Sequence, residues 1–145
     1  MNDLNEFSES LKDLMSEQNL SVQALAKSTG IGFPNLYCYL RAERLPSVET
    51  AIVLADHFNC SAGYLLGLEQ ERRTENYKAC PPFCKQIAFL IQYFGIPAYK
   101  IYSHTNISKA RFFDWKSGKR KPSLDNIIKL AEFFDCPVDF VLGRI

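Results

Sequence analysis

Slid against itself by 76 residues without a gap, the chain brings Phe7 onto Phe83, Thr29 onto Thr105, Ile31 onto Ile107, Arg44 onto Arg120, Pro46 onto Pro122 and Ser47 onto Ser123. The same shift brings Leu54 onto Leu130, Ala55 onto Ala131, Phe58 onto Phe134, Cys60 onto Cys136, Leu66 onto Leu142 and Gly67 onto Gly143. Apolar pairs such as Leu11 with Ile87 and Leu36 with Phe112 fall between them. A register kept without insertion over that distance implies two copies of one small domain. Each copy has roughly 65 residues from which to close a core, a size at which domains fold alone with little to spare.

Apolar spacing predicts five short helices per copy, and no strand pattern competes. In the second copy Phe83, Ile87, Leu90, Ile91 and Phe94 recur at helical spacing after Pro81-Pro82, and Gly95 ends that helix. Pro97 opens the next, which carries Ile101. The third starts after Ser108, holds Phe112 and Trp115 on one side and stops at Gly118. A fourth runs from Ser123 as N-cap through Leu124, Ile127, Ala131 and Phe134; the last follows Pro137 with Phe140, Val141 and Leu142 before Gly143. The first copy repeats the plan with Phe7, Leu11, Leu14 and Met15, then residues 21–27, 33–40, 47–58 and 61–66. The fold class is therefore all-α, with domains over 1–68 and 83–145 and a linker over 69–82. Helix formers up to Lys78 leave room for the fifth helix to extend into that linker.

Net charge is +1, but its distribution is polar. Residues 1–70 hold four Lys/Arg against nine Asp/Glu, whereas residues 83–145 hold ten against five. A polyanion is drawn to the second copy and held off by much of the first. The start, MNDLNEFSES, is acidic with no apolar run behind a basic start, and no stretch has the eighteen or so apolar residues of a membrane span. The expectation is a cytoplasmic protein that makes no membrane contact. Five cysteines, Cys38, Cys60, Cys80, Cys84 and Cys136, contain no CxxC pair, which suits reduced thiols. Cys60 and Cys136 stand at equivalent places and are expected to be small buried apolar residues. Cys80 and Cys84 lack clustered histidines, so neither a metal nor another cofactor is expected.

The chemistry concentrates in Ile107 to Ser123, ISKARFFDWKSGKRKPS. With Phe112 and Trp115 inward as core, Lys109, Ala110, Phe113 and Asp114 face outward, and a basic loop of Lys119, Arg120 and Lys121 follows. Base edges are read by hydrogen-bonding side chains, with apolar groups meeting thymine methyls. Lys109 suits guanine, Phe113 suits a methyl, and Asp114 suits cytosine or the orienting of a neighbour. Arg111, Lys116, Lys119, Arg120 and Lys121 suit phosphates. The matching face of the first copy, with Leu36 and Tyr39 inward, is Phe33, Pro34, Tyr37 and Cys38, with only Asn35, Arg41 and Arg44 close by. An aromatic outward face on an acidic domain more often marks a protein interface than a base reader.

Both copies resemble the helix-turn-helix domain of the Cro and phage-repressor (Xre-like) family. The first does so in LSVQALAKSTGIG and LPSVETAIVLADHFNCSAGYLLG, the second in WKSGKRKPSLDNIIKLAEFFDCPVDFVLG. The resemblance implies a second motif helix lying in the major groove of double-stranded DNA, in regulators that act on two-fold symmetric operators, and hence a homodimer. It marks Ser108, Lys109, Arg111, Phe113, Asp114, Lys116, Lys119, Arg120 and Lys121 as the DNA-binding set. Phe33, Pro34, Asn35, Tyr37, Cys38, Arg41 and Arg44 form a secondary DNA or protein-partner surface. The family often has Gln early in the first motif helix, where this chain has Val22 and Ala98. It often has Glu two residues before the Gly after the recognition helix, where this chain has Leu40 and Lys116. No phosphate-cradling glycine loop or activated nucleophile is in view, so no enzyme is expected. The expected function is a sequence-specific repressor. The alternative is an interaction adaptor, such as an antirepressor or antitoxin, with reduced DNA binding.

Overall fold

The computed structural model describes residues 3–73 and 76–145, which form ten helices and no strand. They divide into two compact units, Met1–Asn76 and Tyr77–Ile145. The first holds α1 (Asp3–Glu17), α2 (Val22–Thr29), α3 (Phe33–Leu40), α4 (Val48–His57) and α5 (Ala62–Leu65). The second holds α6 (Phe83–Phe94), α7 (Ala98–His104), α8 (Lys109–Ser117), α9 (Leu124–Phe134) and α10 (Val138–Leu142).

The helices begin where local chemistry stops the chain from being anything else. Ser21, Ser47, Ser61, Ser108 and Ser123 each turn a hydroxyl oxygen to a backbone N–H of the first turn, satisfying a donor that the helix leaves unpaired. Pro97 and Pro137 replace the Ser at the equivalent starts of α7 and α10. Four helix starts, Val22 and Ala98, Phe33 and Lys109, Val48 and Leu124, Ala62 and Val138, keep the 76-residue offset.

In the first unit α1 packs on α3 and α5, and α2 on α3 and α4, around Phe7, Leu11, Leu25, Leu36, Leu54, Phe58 and Leu65. In the second α6 packs on α8 and α10, and α7 on α8 and α9, around Ile87, Leu90, Ile101, Phe112, Trp115, Leu130 and Val141. The buried face of each motif helix is thus fixed by its unit's core, which decides what its other face presents.

The stretch between the copies does not extend the fifth helix. Gly67 adopts φ 77° just past α5 and turns the chain away. Residues 69–73 lie on the first unit: Glu69 accepts from Ser61 Oγ at 3.1 Å, and the Arg72 guanidinium donates to Glu17 at 2.9 Å and to the Phe58 carbonyl. On the second unit Lys78 N donates to the Arg144 carbonyl at 2.7 Å, and the Arg144 guanidinium lies 4.1 Å from the Tyr77 ring centroid. Arg144 is also paired with Asp139, and both side chains are fully buried. Gly143, at φ 83°, has no room for a Cβ, which would stand 2.7 Å from Pro81 Cδ. The close pass of Pro81 holds the incoming chain against the outgoing one.

Candidate nucleic-acid interface

The turn into α8 is built from Thr105, buried, Asn106 at φ 61° and Ile107, 5% exposed. Ser108 caps the helix by accepting from Arg111 N at 3.1 Å. Phe112 and Trp115 are buried; the Trp115 ring meets Phe83 edge-on at 5.9 Å and Phe112 at 6.0 Å. With that side locked, Lys109, Ala110, Arg111, Phe113 and Lys116 stand exposed. Phe113 rests on Tyr102 at 6.2 Å between ring centroids, and the Lys116 ammonium sits 5.8 Å from the Phe113 centroid. An aromatic ring so braced is a fixed feature of the surface.

The basic loop is folded back on the end of α8. Backbone N–H groups of Lys119 and Arg120 both donate to the Asp114 carbonyl, at 2.9 and 3.2 Å, and Ser117 Oγ donates there too at 3.1 Å. The half-buried Asp114 carboxylate lies 3.6 Å from Arg120 Nε. The carboxylate is thereby set beside a cation of the loop that follows its own helix. Lys116, Lys119, Arg120 and Lys121 all remain exposed.

Arg111, Arg120, Lys121, Ser123, Trp115 and Asn126 line a cavity of about 250 Å³ at the start of α9. Three cations facing the N-terminus of an eleven-residue helix make a positive concavity suited to a phosphate oxygen. Asn126 is buried and was not among the expected site residues. Its position in the first turn of α9, three residues from the Ser123 cap, was the available signal.

The first unit presents the same frame differently. Leu36 and Tyr39 are buried; Phe33, Pro34, Asn35 and Tyr37 are exposed, and Cys38 is half-buried. Arg41 donates to both carboxylate oxygens of Glu43, at 3.0 to 3.2 Å. That bond raises the Arg41 pKa and lowers that of Glu43. Arg44 donates to Asn35 Oδ1 and lies 5.9 Å from the Tyr39 centroid. Lys119 stands where the first unit has Glu43, so one loop is a self-neutralised pair and the other an open cation.

Cys60 is buried, but Cys136 is only partly so, although each follows a residue in the left-handed conformation, Asn59 and Asp135. Burial, then the Asp135 charge, pushes its thiol pKa up to about 11. Among the described residues no three His, Cys, Asp or Glu side chains gather as a metal site, and no helix is long and apolar enough to cross a membrane.

No curated protein and no solved structure matches the chain. The helix-turn-helix family model matches residues 11–65 and 105–141, more than half of it. The second match begins at the turn and leaves α6 and α7 outside, although those helices occupy the places of α1 and α2. The chain belongs to the helix-turn-helix family of the Xre/lambda-repressor-like kind, in two tandem copies, and is in that general sense a DNA-binding regulator.

Proposed function

We propose that the chain is a sequence-specific cytoplasmic repressor that occupies an operator through its second unit, as a pair of copies. Phosphates taken by Lys116, Lys119, Arg120, Lys121 and the cavity at the start of α9 fix the register. Lys109 and Phe113 then select bases in the major groove. The first unit, acidic and aromatic at the equivalent helix, serves a protein contact or a weaker DNA contact.

One contrast carries this reading: the loop after α8 exposes Lys119 where the loop after α3 has Glu43, paired with Arg41. The test is selection of bound sites from random duplex DNA with the full chain, recording the salt dependence of the winner. An enriched motif with a log-log salt slope of roughly −4 to −6, for about five neutralised phosphates, supports it. No enrichment and little salt dependence would favour the adaptor, and the exposed Phe33 and Tyr37 would become the place to look for a protein partner.

A further inference from the structure

Phe113 is an apolar ring in the middle of a helix whose exposed side chains include Lys109, Arg111 and Lys116. It is 43% exposed, yet it is held from three directions. Tyr102 of α7 lies at 6.2 Å between ring centroids with an interplanar angle of 53°, Phe112 at 6.2 Å and 88°, and the Lys116 ammonium 5.8 Å from the Phe113 centroid. Phe112 is fully buried and Tyr102 half-buried, so the bracing comes from the core outward. Ala110, three residues earlier on the same side of α8, is exposed, and its small side chain leaves the approach to the ring open. The result is a small apolar spot with Lys109 four residues before it and Lys116 three after. What such a spot can recognise on a base edge is narrow. In the major groove thymine shows an O4 acceptor and cytosine an N4 amino donor, and thymine adds a methyl group at C5. A phenyl ring makes no hydrogen bond to tell O4 from N4, so the methyl group is what it senses. Cytosine methylated at C5 carries the same methyl at the same place.

We propose that Phe113 reads the C5 methyl group of a pyrimidine, on thymine and 5-methylcytosine alike, so that binding responds to cytosine methylation of the DNA. The inference rests on the reading of α8 as the helix that enters the major groove. An unmethylated C·G pair at that place leaves the ring facing water, whereas methylation lets ring and methyl bury each other. Moving one methyl group out of water changes affinity by about fourfold. Bracing lets that gain be kept, because a ring already fixed by Tyr102, Phe112 and Lys116 has little freedom to lose on contact. Removing the methyl from thymine, which leaves uracil, costs the same factor. Hydrogen bonds from the neighbouring Lys109 and Asp114 bear on which base stands there, but two duplexes that differ by the methyl alone offer them the same groups.

The test selects bound sites with the full chain from three random duplex pools: an ordinary one, one with deoxyuridine in place of thymidine, and one with 5-methyldeoxycytidine in place of deoxycytidine. One thymine preference of the ordinary motif should fade in the second pool, and 5-methylcytosine should join thymine at that position in the third. Binding curves then compare thymine with uracil, and 5-methylcytosine with cytosine, at that one position of the selected duplex. The methylated member of each pair should bind about fourfold more tightly to the wild type, and Phe113→Ala should bring both ratios to about one. Each ratio compares two duplexes on one protein, so a general loss of affinity in the variant cancels. Should the variant bind no duplex, 5-iododeoxyuridine at the same position, with iodine where the methyl stands, is photo-cross-linked to the wild type, and the adduct is expected on Phe113. Equal affinities within either pair for the wild type, a variant that keeps the two ratios, or an adduct on another residue overturns the proposal. A motif selected with no methyl dependence would remove this inference and leave the regulator reading standing; no motif in any pool would remove both.

Discussion

Ala42 and Gly118 occupy equivalent places in the two copies, each in the left-handed conformation just past its motif helix, at φ 58° and 80°. Each backbone N–H makes the same bond, Ala42 to the Tyr39 carbonyl at 3.1 Å and Gly118 to the Trp115 carbonyl at 3.2 Å. Four further left-handed pairs keep the offset: Asn19 with Gly95, Gly30 with Asn106, Asn59 with Asp135, and Gly67 with Gly143. Asn and Asp tolerate this region because their side chains bond locally; Ala has no such help.

Ala42→Gly should therefore stabilise the first unit. An L residue here costs about 1–2 kcal/mol, and the added freedom of Gly in the unfolded chain costs about 0.5–1 kcal/mol, leaving a gain of about 0.5–1 kcal/mol. Gly118→Ala should lose a similar amount from the second unit, since a Cβ there meets only Cys84 in ordinary contact. Trp115 is the one tryptophan and is buried, so its fluorescence in a urea titration reports the second unit, while circular dichroism reports both. A lower midpoint for Ala42→Gly would show that Ala42 is not strained.

Helix starts and stops were legible because they are local. The Ser caps, the Pro openings and the Gly stops each act within four residues, and the repeat supplies every signal twice. The 76-residue register also sets Leu14 on Leu90 and Ile52 on Ile128. The inward pairs, Leu36 with Tyr39 and Phe112 with Trp115, followed from helical spacing alone. What spacing does not carry is pairing across a turn. Arg41 with Glu43 and Asp114 with Arg120 depend on how the loop folds back. Polar composition likewise marked 69–82 as a linker, while the contacts of Arg72, Tyr77 and Lys78 depend on partners distant in sequence.

The Arg41–Glu43 pair gives a second prediction. Glu43→Lys releases Arg41 and places in the first unit the cation that the second has as Lys119. Binding of the full chain to bulk duplex should tighten, and the log-log salt slope should steepen by about 1 to 2. A slope that does not move would mean that the first unit stays clear of the DNA backbone.

Arg144 gives a third. It is fully buried between Asp139 and the Tyr77 ring, so Arg144→Ala strands a buried carboxylate and should cost the second unit about 3–5 kcal/mol. Arg144→Met combined with Asp139→Leu removes both charges and should be far less harmful. By the same contacts a fragment beginning at Tyr77 should have a higher urea midpoint than one beginning at Phe83. Equal midpoints would show that the incoming segment adds nothing.

The last prediction separates base reading from phosphate holding on one helix and its loop. Lys109 is exposed in the first turn of α8, with no ion pair among the described residues, so Lys109→Ala should lower affinity chiefly for the preferred site, by about 1–3 kcal/mol, and relax preference at one or two base pairs. Arg120 lines the cavity at the start of α9 and is oriented by Asp114, so Arg120→Ala should weaken binding to all duplexes alike and reduce the salt slope by about 1. Asp114→Asn keeps the backbone bonds of the loop while removing a negative charge, and should tighten non-specific binding. Site selection repeated on the three variants, each with its salt series, reads all of these together. If Arg120→Ala altered base preference while Lys109→Ala lowered affinity for every duplex alike, the assignment of the two roles would be reversed.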